Sequence, residues 1–86
     1  MSSVLSENER ILLAALQEMG GQGTVREINV FLWRPENQVR FQRHGRAWSE
    51  RKVQHDIFYA KDKGYVVMER LERQVYRYRL VQQVIQ

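Results

Sequence analysis

Five side chains suited to molecular recognition fall within one short stretch: Arg51, Lys52, Gln54, His55 and Tyr59. Arginine presents a rigid fork of N–H donors, and glutamine a donor beside an acceptor. Each can make paired hydrogen bonds to a flat polar partner. The base edges of duplex DNA are such partners, with guanine matching Arg51 and adenine matching Gln54. His55 and Tyr59 could reach base edges or phosphates, and Lys52 suits the phosphate backbone. A second set is purely cationic. Arg70, Arg73, Arg77 and Arg79 lie near the C-terminus, and Arg40, Arg43 and Arg46 precede the first stretch. Arginine at a hairpin tip can enter a minor groove or hold phosphate. The competing reading is plain solvated surface, with Glu69 and Glu72 available for cross-strand pairs that contribute under about 1 kcal/mol.

Catalytic chemistry finds little support. The histidines are His44 and His55, there is no cysteine, and no acidic residue stands at a metal-ligand spacing. His55 and Asp56 are adjacent, so on a helix their side chains should diverge by about 100°. Of the serines, Ser6 and Ser49 read as helix caps. Gly20-Gly21-Gln22-Gly23 lacks the lysine that completes a phosphate-binding loop. The expectation is a protein that is not an enzyme, with no cofactor, no metal and no small-molecule substrate.

Charge distribution says more than the net value of +4. Residues before Arg34 carry Arg10 and Arg26 against Glu7, Glu9, Glu18 and Glu27. From Arg34 onward, twelve basic residues face six acidic ones. This asymmetry marks a footprint for a polyanion. No apolar run approaches the roughly 18 to 20 residues that span a bilayer. The N-terminal residues lack the basic and apolar regions of a signal peptide. A cytoplasmic protein without a membrane partner is expected, nucleoid-associated if prokaryotic.

The elements that would position these side chains are readable in outline. Ser6 with Glu9 forms a capping box, Leu12, Ala15, Leu16 and Met19 share one helical face, and Gly20-Gly21 ends the helix, giving 6–19. Thr24 with Glu27 opens a second helix over 24–34, closed by Arg34-Pro35. Residues 35–48 read as a long basic loop, with a short strand around 39–42. Ser49 caps a third helix over 49–63, stapled by Trp48 and ended by Gly64. Val53, Ile57 and Ala60 form its inward stripe, which turns Arg51, His55, Phe58 and Asp62 outward, with Gln54 and Tyr59 beside them. A β-hairpin follows over 65–80, with strands at 65–68 and 75–80 and a charged tip at 69–74.

Three helices followed by a hairpin, in one domain over 1–86, give an α+β chain that is mostly α. The stretch from Ser49 to Val66 resembles the recognition helix and first wing strand of winged helix-turn-helix regulators. It has a Ser cap, apolar residues eleven, seven and four positions before Gly64, and an aromatic-aliphatic pair after it. Tyr76-Arg77-Tyr78-Arg79-Leu80 resembles the returning wing strand. The spacing is also similar to that of the N-terminal domain of Mrr-type restriction enzymes, which has a longer insert before its third helix. The Z-DNA-binding branch carries prolines in the wing, and this hairpin has none. The resemblance implies a DNA-binding winged helix active in transcription regulation, with the third helix in the major groove and the wing on the backbone or minor groove.

Two alternatives stay open at this level. Trp33, Phe41, Trp48 and Phe58 could form an exposed apolar patch, making the chain a protein-interaction module. Phe58 could instead pack beneath the loop against Val39, Phe41 or Trp48. Leu5, Ile11, Val81, Val84 and Ile85 could supply the two-fold interface of a homodimer.

Overall fold

The computed structural model describes residues 4–81. Its architecture is α+β, with about half of the chain helical and a three-stranded antiparallel sheet. Helix α1 spans Glu7–Glu18 and begins as its sequence requires. The Ser6 hydroxyl accepts the Glu9 N–H at 3.2 Å, and the Glu9 carboxylate accepts the Ser6 N–H at 2.9 Å. Gly20 and Gly21 then take positive φ angles of 102° and 93°, so the Gly21 N–H reaches the Leu16 carbonyl at 2.8 Å. This satisfies a carbonyl that the helix end leaves unpaired.

A short strand not anticipated from sequence follows, β1 at Gln22–Thr24. Three residues offer no periodicity to read. It exists because β3 is there to pair with it, through Gly23 opposite Tyr78. A Cβ on Gly23 would stand 2.7 Å from the Met19 Cε, so this position excludes larger residues unless Met19 moves. Thr24 then caps α2, Val25–Leu32, with the reciprocal Glu27 bond.

The segment expected to be a loop is largely ordered structure. Pro35 stands at the first position of a helix, α3, Pro35–Arg40. There the missing proline N–H costs nothing, and its fixed φ favours the helix. The strand expected around 39–42 is absent; Val39 and Arg40 are the last residues of α3. The Asn37 amide donates to the Phe31 carbonyl at 2.9 Å, tying α3 to α2. Arg43 and Arg46 then form an isolated antiparallel bridge around His44 and Gly45, whose φ angles of 50° and 78° define a tight turn. The Trp48 indole N–H donates to the Phe41 carbonyl at 2.9 Å, and the Trp33 indole N–H to the Trp48 carbonyl at 2.8 Å.

Helix α4 spans Glu50–Asp62, with the Ser49 hydroxyl accepting the Lys52 N–H at 3.1 Å. Gly64, at φ 89°, ends it. Strands β2, Val66–Glu72, and β3, Val75–Leu80, form the hairpin. The first strand is longer than expected. Glu69 and Arg70 pair with Arg77 and Tyr76 inside the ladder, leaving only Arg73 and Gln74 as the turn. Charged residues resemble a loop in sequence, but β2 beyond Val66 is exposed on both faces and accommodates them. The sheet order is β1-β3-β2.

One core joins these elements. Leu12 and Leu16 of α1, Ile28 of α2 and Val53, Ile57 and Ala60 of α4 are fully buried at 0% exposure, as the inward stripe requires. Val66 and Tyr78 close the core from the sheet, and Phe41 and Trp48 close it from the α3 side. Removing this apolar surface from water is the main force holding the helices together. No helix among the described residues is long and apolar enough to cross a membrane.

Candidate nucleic-acid interface

Burying Val53, Ile57 and Ala60 fixes the rotation of α4 about its axis. Arg51, Gln54, His55, Phe58 and Tyr59 are therefore exposed, and Lys52 is partly so. The N-terminal half of this face borders a cleft of about 520 Å3. Arg51 and Gln54 form one wall, with Glu50. The start of α2 forms a second wall, through Thr24, Val25 and Arg26. The hairpin forms the third, through Gln74, Val75, Tyr76 and Tyr78. Burial holds the Tyr78 phenol above its ordinary pKa, with a smaller contribution from Tyr76. Among ionised groups the cleft wall thus offers two guanidiniums against one carboxylate.

The other expected residues of α4 are linked to one another. Asp56, at 5% exposure, has Lys52 Nζ 3.3 Å from one carboxylate oxygen, an ion pair without hydrogen-bond geometry. Its other oxygen stands 3.0 Å from His55 Nδ1. The expected divergence of His55 and Asp56 is corrected here. Nδ1 and Oδ1 each lie one bond beyond Cγ, close enough to the backbone to meet before the two side chains spread apart. The Tyr59 ring meets His55 edge-on at 4.9 Å. Asp62 is exposed at the far end of the helix and pairs with Lys61 at 3.4 Å. Phe58 does not pack under the preceding segment; it is 43% exposed, with Lys61 Nζ 4.3 Å from its ring centre. Phe41 and Trp48 are in the core instead, so the proposed four-aromatic patch does not exist as such.

The hairpin arginines differ in availability. Arg70 and Arg73 are exposed, Arg70 within β2 rather than at the tip and Arg73 in the turn. Arg77 is held by Glu69, with guanidinium nitrogens at 2.7 and 3.2 Å from one carboxylate oxygen. That hydrogen bond holds the Glu69 carboxyl below its ordinary pKa. The cross-strand alternative thus describes Arg77, while Arg79 remains exposed beside it.

The arginines before α4 are mostly engaged. Arg40 donates to Glu18 and lies 4.8 Å over the Phe41 ring. Arg43 donates to the Ala47 carbonyl at 2.8 Å and lies 5.1 Å over Trp48. Arg46 is exposed in the turn. Sequence reasoning missed Arg26 and Tyr76 as cleft residues. For Arg26 a signal existed: a cation directly after a capped helix start, one of two in an otherwise acidic part of the chain. For the dimer expectation, Ile11 packs partly against the core, while Val84 and Ile85 lie outside the described residues. Comparison with protein-family models, with curated proteins and with solved structures found no match.

Proposed function

We propose that this chain is a winged helix that binds double-stranded DNA, with α4 in the major groove and the β2–β3 hairpin as a wing on the backbone or minor groove, in the service of transcription control. One observation carries the reading. The exposed face of α4 around Arg51 and Gln54, the start of α2 with Arg26, and the hairpin converge on a single open cleft. An α-helix fits the major groove, and the N-terminal part of a recognition helix reads the bases. Arg51 and Gln54 occupy that part of α4. Arg26, Arg70 and Arg73 would hold phosphates on either side of it, and Arg46 a flanking phosphate.

The test is fluorescence anisotropy with a random-sequence duplex across salt concentrations. Binding should weaken steeply as salt rises, since each neutralised phosphate releases counterions. Arg51→Ala should reduce discrimination among sequences, and Arg73→Ala should weaken all sequences alike. Absence of binding at low salt would contradict the reading.

A protein-interaction module is the second reading, favoured by a different surface. Trp33 and Val39, 47% and 73% exposed, border an apolar groove with Leu32, Phe41, Ala47 and Trp48. None of these residues lines the cleft at α4.

A further inference from the structure

Asp56 is the least expected polar residue on α4. It faces inward, is 5% exposed, and spends one oxygen on the histidine beside it. We infer that Asp56 is a positioning residue that fixes the tautomer of His55, so that His55 offers DNA a hydrogen-bond acceptor and selects a base that presents an amine in the major groove. The inference rests on the DNA-binding reading and specifies what one of its residues recognises.

The argument runs through donors and acceptors. A carboxylate accepts hydrogen bonds and donates none. Lys52 Nζ stands 3.3 Å from Oδ2 as an ion pair without hydrogen-bond geometry, and Oδ1 is the oxygen that meets the imidazole. A nitrogen 3.0 Å from Oδ1 must carry the proton, which places it on Nδ1. In the neutral ring Nε2 is then bare, and its lone pair can only accept. The His55 side chain is 58% exposed, and its ring is braced from a second side by the Tyr59 ring in a T-shaped contact, with centroids 4.9 Å apart. The ring is therefore held in one plane, with the polar atom that remains free being an acceptor.

A bare nitrogen repels a phosphate oxygen and a carbonyl oxygen alike. Of the groups in the major groove it matches two, the N4 amine of cytosine and the N6 amine of adenine. His55 is thus a reader of bases rather than a phosphate contact. It discriminates against guanine and thymine, whose major-groove edges present no donor.

Two measurements test this. In the DNA-free protein, long-range 15N–1H correlation spectra at neutral pH should show His55 Nδ1 protonated and Nε2 unprotonated; the reverse assignment would overturn the inference. In the second, wild type, Asp56→Asn and His55→Ala are each used to select from randomised duplexes. An asparagine amide can donate to Nδ1 and move the ring proton to Nε2. Asp56→Asn should therefore shift the preference at one position of the contacted strand from adenine or cytosine, which present an amine in the major groove, to guanine or thymine, which present a carbonyl there. The change in relative affinity should be about fivefold, the worth of one hydrogen bond. His55→Ala should lose preference at that same base pair. The amide spectrum of Asp56→Asn reports whether it folds. Should it not fold, His55→Ala decides the matter: lost preference for adenine or cytosine at one position supports the inference, and unchanged preference overturns it. Failure of wild type to bind any duplex would sink the DNA-binding reading itself. Binding with an unmoved preference in both variants would sink only the role of Asp56 and His55.

Discussion

Two arginine-bearing regions of this molecule look alike in sequence and behave differently in the fold. The segment from Arg34 to Trp48 carries four arginines in fifteen residues. Three of them lie over aromatic rings: Arg34 over Phe31, Arg40 over Phe41 with a bond to Glu18, and Arg43 over Trp48. The region around the α4 cleft is no richer, yet among the described residues its exposed arginines, Arg26, Arg51, Arg70 and Arg73, lie over no ring, unlike Arg34, Arg40 and Arg43. Aromatic rings make the difference. An arginine can stack its planar guanidinium on a ring and still satisfy its N–H groups on nearby acceptors. Where the chain places Phe31, Phe41 and Trp48 nearby, cations are held on a ring face; where it does not, they remain available to an outside anion. Counting positive charge overstates the footprint wherever aromatic residues are interleaved.

The comparison can be broken most severely at Trp48. Trp48→Ala removes a ring at 5% exposure, the platform for Arg43 and an indole bond to Phe41. It should lower unfolding stability by about 3 to 5 kcal/mol in urea titration. A loss below 1 kcal/mol would mean that the α3 segment is not part of the core. Next comes the Arg51→Ala, Gln54→Ala double variant, expected to weaken its preferred duplex by about 2 to 4 kcal/mol, within the range of paired base contacts, with no change in melting temperature. Arg43→Ala sharpens the contrast in the opposite sense. It should cost about 0.5 to 1 kcal/mol of stability through the lost ring contact and leave the salt dependence of DNA binding unaltered. If Arg43→Ala reduced DNA affinity as much as the Arg51 variant does, the division between the two regions would fail.

The smallest effect belongs to the Glu69–Arg77 pair. The folded protein holds the Glu69 carboxyl below its ordinary value of 4.5, chiefly through the hydrogen bond from Arg77. The unfolded chain therefore binds that proton more readily. The pair's contribution is present above that value and is lost as pH falls through the lower folded value. Glu69→Gln should flatten the acid limb of a melting-temperature profile slightly, because both groups are near solvent. A steeper acid limb in the variant would contradict the assignment.

Much of the frame was legible in the sequence because its signals are local. Both capping boxes, the Ser49 cap, the Gly64 stop and the Val53-Ile57-Ala60 stripe depend on residues within a turn or two of each other, and each appears in the fold. What the sequence concealed depends on distant partners. β1 has meaning only beside β3, and α3 is too short for a periodic signal, its order coming from Asn37 and the core positions of Phe41 and Trp48. The site divides the same way. The outward placement of Arg51, Gln54 and His55 follows from one helical wheel, while Arg26 joined them only when α2 was packed beside α4 and the hairpin.

The most direct measurement is a titration of 15N-labelled protein with a random-sequence duplex at low salt, following amide and arginine side-chain shifts. The expected perturbations fall on residues 24–26, 50–59 and 70–76, with residues 35–43 unmoved. Shifts concentrated over residues 35–43, or no shifts at saturating duplex, would show that the exposed cations of the cleft are not what meets DNA.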